Sequence, residues 1–473
     1  MKKKTGLMLF SVALGTFMSA LDASVVNVAN PVIQAHFNVP LATEEWVVTA
    51  YLIVVSSLLL FFGRLSDLHG QKRLYIIGFA VFTLGSALCS LSASIGLLIG
   101  FRVAQALGAA MMFSTSSAII TNNVPPERRG RAFSVIAMAV AIALSTGPVL
   151  GGALTSALGW QSIFYINVPI GIIGIVLAAR FIPADKHKPA VPMDIPGSVM
   201  IFAALFMMLL ALDQLSANID MLAFGLLMGG GLLAAIAFIL FEKRSKHPIL
   251  NLKLFRIRVF SASLTAALLN YMAQYVMVFL VPFYLQTVRM YSPAMSGLVY
   301  MPMPLAALVI APIAGIVADR TDTRILSSFG MGVMAVGLFL LSRIEADTAN
   351  SYIVMAMAVT GIGSGLFQTP NNSAVMGSVP ADSRGVASGM LATARNVGMV
   401  MGVGLSGGLF ALFSGRAPGQ VTERISGMIA QKEAFIYALR YTFLIASGLA
   451  VAAMAASLTK GKASLPDMLK KAE

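Results

Sequence analysis

The sequence predicts an all-α polytopic membrane protein, two pseudo-symmetric six-helix bundles with two extra helices between them, on three observations. The first is composition. Of the 473 residues, 58% are hydrophobic and 11% charged, with a mean hydropathy of +0.85, whereas about a quarter of the residues of a soluble protein carry charge. The second is a series of fourteen apolar runs near the ~20 residues that a helix needs to cross hydrocarbon. They lie at 6–30, 45–63, 74–93, 95–121, 132–157, 162–182, 195–215, 220–241, 259–286, 293–318, 325–342, 351–376, 386–412 and 435–458. The third is an internal repeat. Gly63-Arg-Leu-Ser-Asp67 ends the second run and Gly315-Ile-Val-Ala-Asp319 the tenth, an offset of 252. Pro125-Pro-Glu127-Arg-Arg129-Gly130 precedes the fifth run and Pro380-Ala-Asp382-Ser-Arg384-Gly385 the thirteenth, an offset of 255. Two motifs displaced by nearly one offset mark a duplicated six-helix unit, the construction of one large class of secondary transporters.

The elements follow in order. Met1-Lys-Lys-Lys4 before an apolar run could open a signal peptide, but the run continues past Asp22 for a full span without a small-residue cleavage site, so it reads as the first helix. The first bundle occupies 1–183. The runs 195–215 and 220–241 are too apolar and too long for a loop in water; they form two inserted helices within 184–258, joined by the short polar link Ser216-Ala-Asn-Ile-Asp220. The second bundle occupies 259–458 and a tail 459–473. An even number of spans puts both termini on one side. Loops on that side, with Arg180 at the adjoining end of the sixth run, hold 25 Lys and Arg against 5 opposite, which the positive-inside rule assigns to the cytoplasm.

The same distribution accounts for the net charge of +14 without a nucleic-acid surface. The densest basic cluster, Lys243, Arg244, Lys246, Lys253, Arg256 and Arg258, lies just below two helix ends, where it sets topology and meets anionic lipid. Cys89 is the single cysteine and the four histidines are scattered over loops, so no disulfide, metal site or nucleophile triad is expected. There is no Gly-x-x-x-x-Gly-Lys-[Ser/Thr] phosphate loop either. Neither enzyme activity nor a cofactor is expected.

Asp22 is the only acid well inside a predicted span. An ionised carboxylate near the bilayer centre costs roughly 2.5–3.5 kcal/mol on insertion scales, so it requires a partner or a function. At ~1.5 Å per residue, Asp22 and Arg102 of the fourth span both lie roughly 10–15 Å from the same face and can share a level. One reading is a permanent ion pair holding the first and fourth helices together. The other is a proton switch, in which displacing the arginine changes whether Asp22 carries a charge.

Four stretches resemble a known family. They are Leu21-Asp22-Ala-Ser-Val-Val-Asn27-Val-Ala-Asn-Pro31, Gly63-x-Leu65-x-Asp67-x-x-Gly70-x-Lys72, Arg102-x-x-Gln105 and Gly147-Pro148-x-x-Gly151-Gly152. With them the chain resembles, over nearly its whole length, the fourteen-helix drug:proton antiporter-2 group of the major facilitator superfamily, which includes EmrB-like and QacA-like exporters. Leu68 and Gln71 depart from the group's usual basic positions, and Ala106 and Ala143 from its usual glycines. The resemblance implies the major facilitator fold in a bacterial inner membrane, and proton coupling at Asp22 and Arg102. Gly63, Asp67, Gly70 and Lys72 then form a gating loop in which Gly63 and Gly70 allow a tight turn. Asp67 would meet a cation or helix start, with Arg129 and Arg384 as candidates and Asp319 as its echo; a contact made in one state and broken in the other biases their equilibrium. Gly147, Pro148, Gly151 and Gly152 would bend the fifth helix or let a neighbour slide on it.

The resemblance also places helices 1, 4, 9 and 12 around a central cavity. Asn27, Gln105, Asn270, Tyr271, Gln274, Tyr275, Phe279, Phe367, Gln368, Asn371 and Asn372, with Arg395 of helix 13, are its candidate substrate residues. Aromatic faces, amides and methionines suit amphipathic organic molecules; one embedded acid and Arg395 favour neutral, monocationic or weakly anionic ones. A pH unit is worth ~1.4 kcal/mol and 100 mV another ~2.3 kcal/mol per charge, together roughly a several-hundred-fold gradient of a neutral substrate. The expected function is proton-coupled export of amphipathic compounds or drugs by alternating access, by a monomer in contact with lipid and with room for a periplasmic adaptor. Alternatives are a lipid or cell-envelope-precursor flippase on the same scaffold and a non-transporting receptor or channel. Asp67→Asn is expected to lower turnover much more than substrate affinity; equal losses of both, with outer-cavity cysteine accessibility unchanged, would count against gating.

Overall fold

The computed structural model describes residues 3–184, 195–213, 221–243, 252–318, 321–380, 384–414 and 427–461, and every regular element among them is a helix. In chain order these are α1 (Lys3–Phe37), α2 (Leu41–Glu44), α3 (Trp46–His69), α4 (Gln71–Ser90), α5 (Ile95–Asn123), α6 (Pro126–Leu158), α7 (Ser162–Tyr165), α8 (Asn167–Phe181), α9 (Ile195–Asp213) and α10 (Met221–Glu242). They continue with α11 (Arg258–Phe283), α12 (Pro293–Tyr300), α13 (Pro302–Ala318), α14 (Thr323–Leu341), α15 (Asn350–Gly377), α16 (Arg384–Ser414) and α17 (Gly427–Leu458). Lipid offers a backbone no hydrogen bonds, so segments of this composition satisfy their amides internally as helices.

Thirteen helical stretches among the described residues are long and apolar enough to cross a membrane. The predicted run 195–215 coincides with α9, an apolar helix of 19 residues. It packs beside α10, where Gly230 and Gly231 receive Met207 and Met208. The link Ser216–Asp220 lies outside the described residues. Alpha-10 turns Leu222, Leu226, Leu233, Ile236 and Leu240 outward, the surface of a helix that faces hydrocarbon.

The helices fall into two compact units. One comprises α1 to α10 with Tyr291–Leu298; the other comprises Arg258–Met290 and the helices from Val299 onward. Inside each unit the helices approach through small residues, because lipid provides no hydrophobic force to press them together and dispersion at short range must serve instead. A Cβ placed on Gly108 of α5 would strike the backbone nitrogen of Phe82 and the Gly78 carbonyl, and one on Gly85 would meet the Gln105 backbone. The second unit repeats this between α14 and α15. A Cβ on Gly363 would strike the Met334 nitrogen and the Gly330 carbonyl, and one on Gly337 would meet Thr360. Gly78 and Gly85 fall on Gly330 and Gly337 at the offset of 252, and Gly108 on Gly363 at 255. The offsets read from the loops therefore carry over to the closest helix contact of each unit.

Gly108→Val and Gly363→Val should each destabilise the purified protein by at least ~1–3 kcal/mol, the usual cost of overpacking, and lower the melting temperature in detergent. Gly100→Ala, where nothing lies within 4 Å of the added carbon, should stay within ~0.5 kcal/mol of the parent.

Candidate functional site

Asp22 and Arg102 meet in the interior of the first unit. Arg102 Nη1 donates to Asp22 Oδ2 at 2.6 Å, and both side chains are all but inaccessible. The other carboxylate oxygen is shared: Gln105 Nε2 donates to Oδ1 at 2.9 Å and Asn167 Nδ2 at 2.8 Å. Arg102 in turn donates through Nη1 to Gln105 Oε1 at 2.7 Å and through Nε to the Val47 carbonyl at 3.0 Å. Its guanidinium lies over the Tyr51 ring, 4.2 Å from the centroid. Ser86 Oγ accepts from Gln105 at 3.1 Å and Asn167 at 3.0 Å, and donates to the Phe164 carbonyl at 3.0 Å. One carboxylate thus gathers α1, α3, α4, α5, α7 and α8 into a network in which its charge is paired and both its oxygens accept hydrogen bonds, the condition for burying an ion.

Gln105, expected to touch substrate, has both ends of its amide engaged by Asp22, Ser86 and Arg102. Asn167 and Ser86, which the sequence did not single out, are equal members of the network. The signal that could have found them is a polar side chain in an otherwise apolar span, but that signal is shared by many serines that merely bond their own helix, as Thr83 bonds Phe79. Asp22 is also not alone: Glu44 and Glu45 are fully buried as well, although they stand at the rim of a predicted span.

The glycines of α6 lie against α1 beside Asp22. A Cβ on Gly147 would strike Ser24, and one on Gly151 would come within 2.9 Å of the Val25 backbone. Pro148 lacks the N–H that would bond Leu144, four residues earlier, and Ser24 Oγ supplies a donor to that carbonyl from α1 at 3.4 Å. Gly152 faces the Pro293 carbonyl, and Ala294 N donates to Ser156 Oγ at 3.1 Å. In the loop after α3, Gly70 takes φ +96° and joins α3 to α4. Gly63 sits inside α3, not in the turn, because nothing before Gly70 interrupts the helix. Lys72 Nζ donates to the Ala179 carbonyl in the last turn of α8 at 2.7 Å, a cation at a helix C-terminus. Asp67, Arg129 and Arg384 lie on α3, α6 and α16 with their side chains outside the description, and Asp319 is outside the described residues.

In the second unit, Arg395 of α16 reaches the Tyr271 hydroxyl and lies near Tyr275 on α11. Gly398 and Gly402 allow this approach by seating against the Leu268 and Met272 carbonyls. On the same helix Asn270 is wholly buried with neither amide atom hydrogen-bonded, and Gln274 Oε1 is likewise unpaired. Such polar atoms are costly unless a partner reaches them. The remaining candidates separate. Asn27 bonds its own helix at the Ala23 carbonyl, 2.8 Å away, and Gln368 bonds Ser364 at 2.7 Å. Phe279 and Phe367 are core side chains and Asn372 is exposed. Asn371 donates to the Ser263 carbonyl at 3.2 Å and accepts from Lys460 Nζ at 2.7 Å.

The fold and this buried charge network define a multi-pass membrane transporter, and comparison with known proteins says of which kind. The chain belongs to the Major Facilitator Superfamily, which matches residues 12–403 and again 263–467. The Riboflavin transporter RibZ of Clostridioides difficile is 35% identical over 415 residues, 86% of this chain and 89% of that protein. Multidrug resistance protein Stp of Mycobacterium tuberculosis is 31% identical over 412 residues, 86% of this chain and 76% of that one. Among solved structures, a bacterial homolog to the human lysosomal transporter Spinster matches with a TM-score of 0.70 at 16% identity, covering 99% of both chains; that likeness concerns the fold.

Lys460 lies beyond the end of α17. Burial pushes its amino group down to about 7, and Asp322 opposes the shift. The folded value lies below the ~10.4 of a free lysine, so folding releases a proton that the unfolded chain holds. The resulting penalty grows as pH falls from ~10 towards 7 and levels off below that. The stability of Lys460→Met relative to the parent should therefore rise over that interval and then stay constant, as read by melting temperature against pH; parallel curves would show that Lys460 stays charged in the folded protein.

Proposed function

We propose that the protein is a proton-coupled exporter of amphipathic organic molecules, of the fourteen-helix drug:proton antiporter-2 group, working as a monomer by alternating access with both termini in the cytoplasm. The observation that carries this reading is the Asp22–Arg102 pair, buried and held by Gln105 and Asn167. A purely structural ion pair could be replaced by apolar side chains of similar volume at little cost; a coupling site must be able to take a proton. When Asp22 is protonated, its attraction for Arg102 weakens, and the guanidinium keeps Val47 and Gln105 as partners while α1 is freed to move. Deprotonation restores the pair. The α6 glycines bear on α1 within one helical turn of Asp22, which supports their role in transmitting that change.

The substrate reading rests on α11 and α16. Arg395 with Tyr271, and the unpaired amides of Asn270 and Gln274, offer a cation, ring faces, donors and acceptors together. The relatives' names, a riboflavin transporter and a multidrug resistance protein, agree with a planar or amphipathic organic substrate.

In liposomes with an imposed pH gradient, the parent protein should move riboflavin or ethidium uphill. Asp22→Asn should abolish uphill transport while leaving folding and downhill exchange measurable, and Asp22→Glu should retain part of it. Gradient-driven transport at parental rate by Asp22→Asn would leave the static ion pair as the better account. Arg395→Ala should alter the preference between the two dyes more than the yield of folded protein; loss of folding alone would make Arg395 structural.

A further inference from the structure

The corner where α1, α2 and α3 meet holds a second buried carboxyl with surroundings opposite to those of Asp22. Glu44 ends α2 and is completely buried. The side-chain amide of Asn30 of α1, also fully buried, lies 3.1 Å from Glu44 Oε1 and 2.8 Å from the Val26 carbonyl, and since both are acceptors the hydrogen-bond pattern assigns its nitrogen to that side. Glu44 Oε2 has no partner, and Glu44 takes part in no ion pair among the described residues. Asp22 has a guanidinium and two amide donors; Glu44 has one neutral donor. An ionised carboxylate in such a place is far costlier than the neutral acid.

The contact with Asn30 can serve either state. Ionised, Oε1 accepts from the amide nitrogen. Protonated, the O–H donates across the same 3.1 Å to the amide oxygen once the side chain has turned over, and the Val26 carbonyl keeps its bond from the Asn30 backbone within the helix. The change needs one proton and breaks no covalent bond of the protein. Solvent is close: Asn38 and Pro40, just before α2, are exposed, and Leu41 to Thr43 are half-buried.

The titratable groups on the neighbouring elements are few. Glu45 adjoins Glu44. Alpha-1 carries Asp22, two turns below Asn30, and the exposed His36, which packs on Trp160. Alpha-3 carries Tyr51 under the Arg102 guanidinium, with Arg64, Asp67 and His69 at its far end, about 30 Å along the helix. Arg102 itself is committed to Asp22 and to the Val47 carbonyl, three residues beyond Glu44. That anchorage ties the start of α3 to the Asp22 network.

We propose that Glu44 is a second proton-binding carboxyl of the first unit, exchanging protons with the solution at the α1–α2 corner and handing its change of state through the start of α3 to Arg102. Its part in transport rests on the proton-coupled reading above; its binding of a proton does not.

Infrared difference spectra of the full-length protein in lipid nanodiscs, recorded as pH is stepped, test the assignment. The carbonyl stretch of a protonated acid, shifted in heavy water, should be present in the parent, in Glu45→Gln and in Asp22→Asn, and absent from Glu44→Gln. Asn30→Ala, which removes the donor to the ionised form, should move the half-amplitude of that band to higher pH, and it answers the question if Glu44→Gln fails to fold. In liposomes carrying ethidium, Glu44→Gln should lower the proton-to-dye ratio by one while uphill transport persists. A band that survives Glu44→Gln or disappears in Glu45→Gln overturns the assignment. So does a band suppressed by sodium but not by choline, which would make the corner a cation site. Failure of the coupling reading appears instead as uphill transport by Asp22→Asn and leaves the spectra unchanged, so the two failures are distinct.

Discussion

The first unit is organised around one carboxylate buried where water is scarce. A guanidinium and two amides converge on the Asp22 carboxylate, and these donors come from helices far apart in sequence. Each donor is itself held by a second contact, Arg102 by the Val47 carbonyl and the Tyr51 ring, Asn167 and Gln105 by Ser86. Moving any of these helices changes the number of donors the carboxylate sees. In a low-dielectric interior that change is worth kilocalories. The same arrangement that lets the pair be buried therefore makes the carboxylate's surroundings sensitive to helix position.

That sensitivity is useful only if the helices can move as defined bodies. The packing supplies this through contacts of glycine with backbone, in α4 with α5 and again in α14 with α15. Such contacts tolerate no added carbon and keep each unit rigid. Alpha-6 differs: Pro148 gives up a backbone bond, and Ser24 of α1 compensates from across the interface. The weak point of that helix thus faces the helix that carries Asp22, so local change at the carboxylate and bending of α6 share one interface. The buried Glu44 of α2 adds a second carboxyl against α1, with Asn30 rather than arginine for company.

Much of this was legible in the residues. Apolar length and the lack of any hydrogen-bond partner in the surrounding lipid specify helices, so the spans and their approximate limits follow from the hydropathy of the sequence alone. The repeat offsets predicted which helices correspond, and the glycines at 78, 85 and 108 with 330, 337 and 363 bear the same relation. An aspartate and an arginine at matching depth could be paired because an isolated charge in lipid is so costly that few alternatives exist. Gly70 could be placed in the turn because it separates two helices, whereas Gly63, flanked by helix formers, stayed inside α3.

What the sequence by itself determined, then, was the solvent, the helical fold, the duplicated plan and the one pair of opposite charges at mid-depth, because each follows from one-dimensional quantities: hydropathy, spacing and charge. Only the tertiary structure decided which neutral side chains complete the pair. Gln105, Asn167 and Ser86 close around Asp22, Arg395 reaches Tyr271, and Lys460 rests on Asn371. Amides and hydroxyls can satisfy themselves on their own helix, as Asn27 does at the Ala23 carbonyl, or across to another. Their energies differ little between the two, so the choice rests on which helix faces arrive within 3 Å, and that is a property of packing in three dimensions.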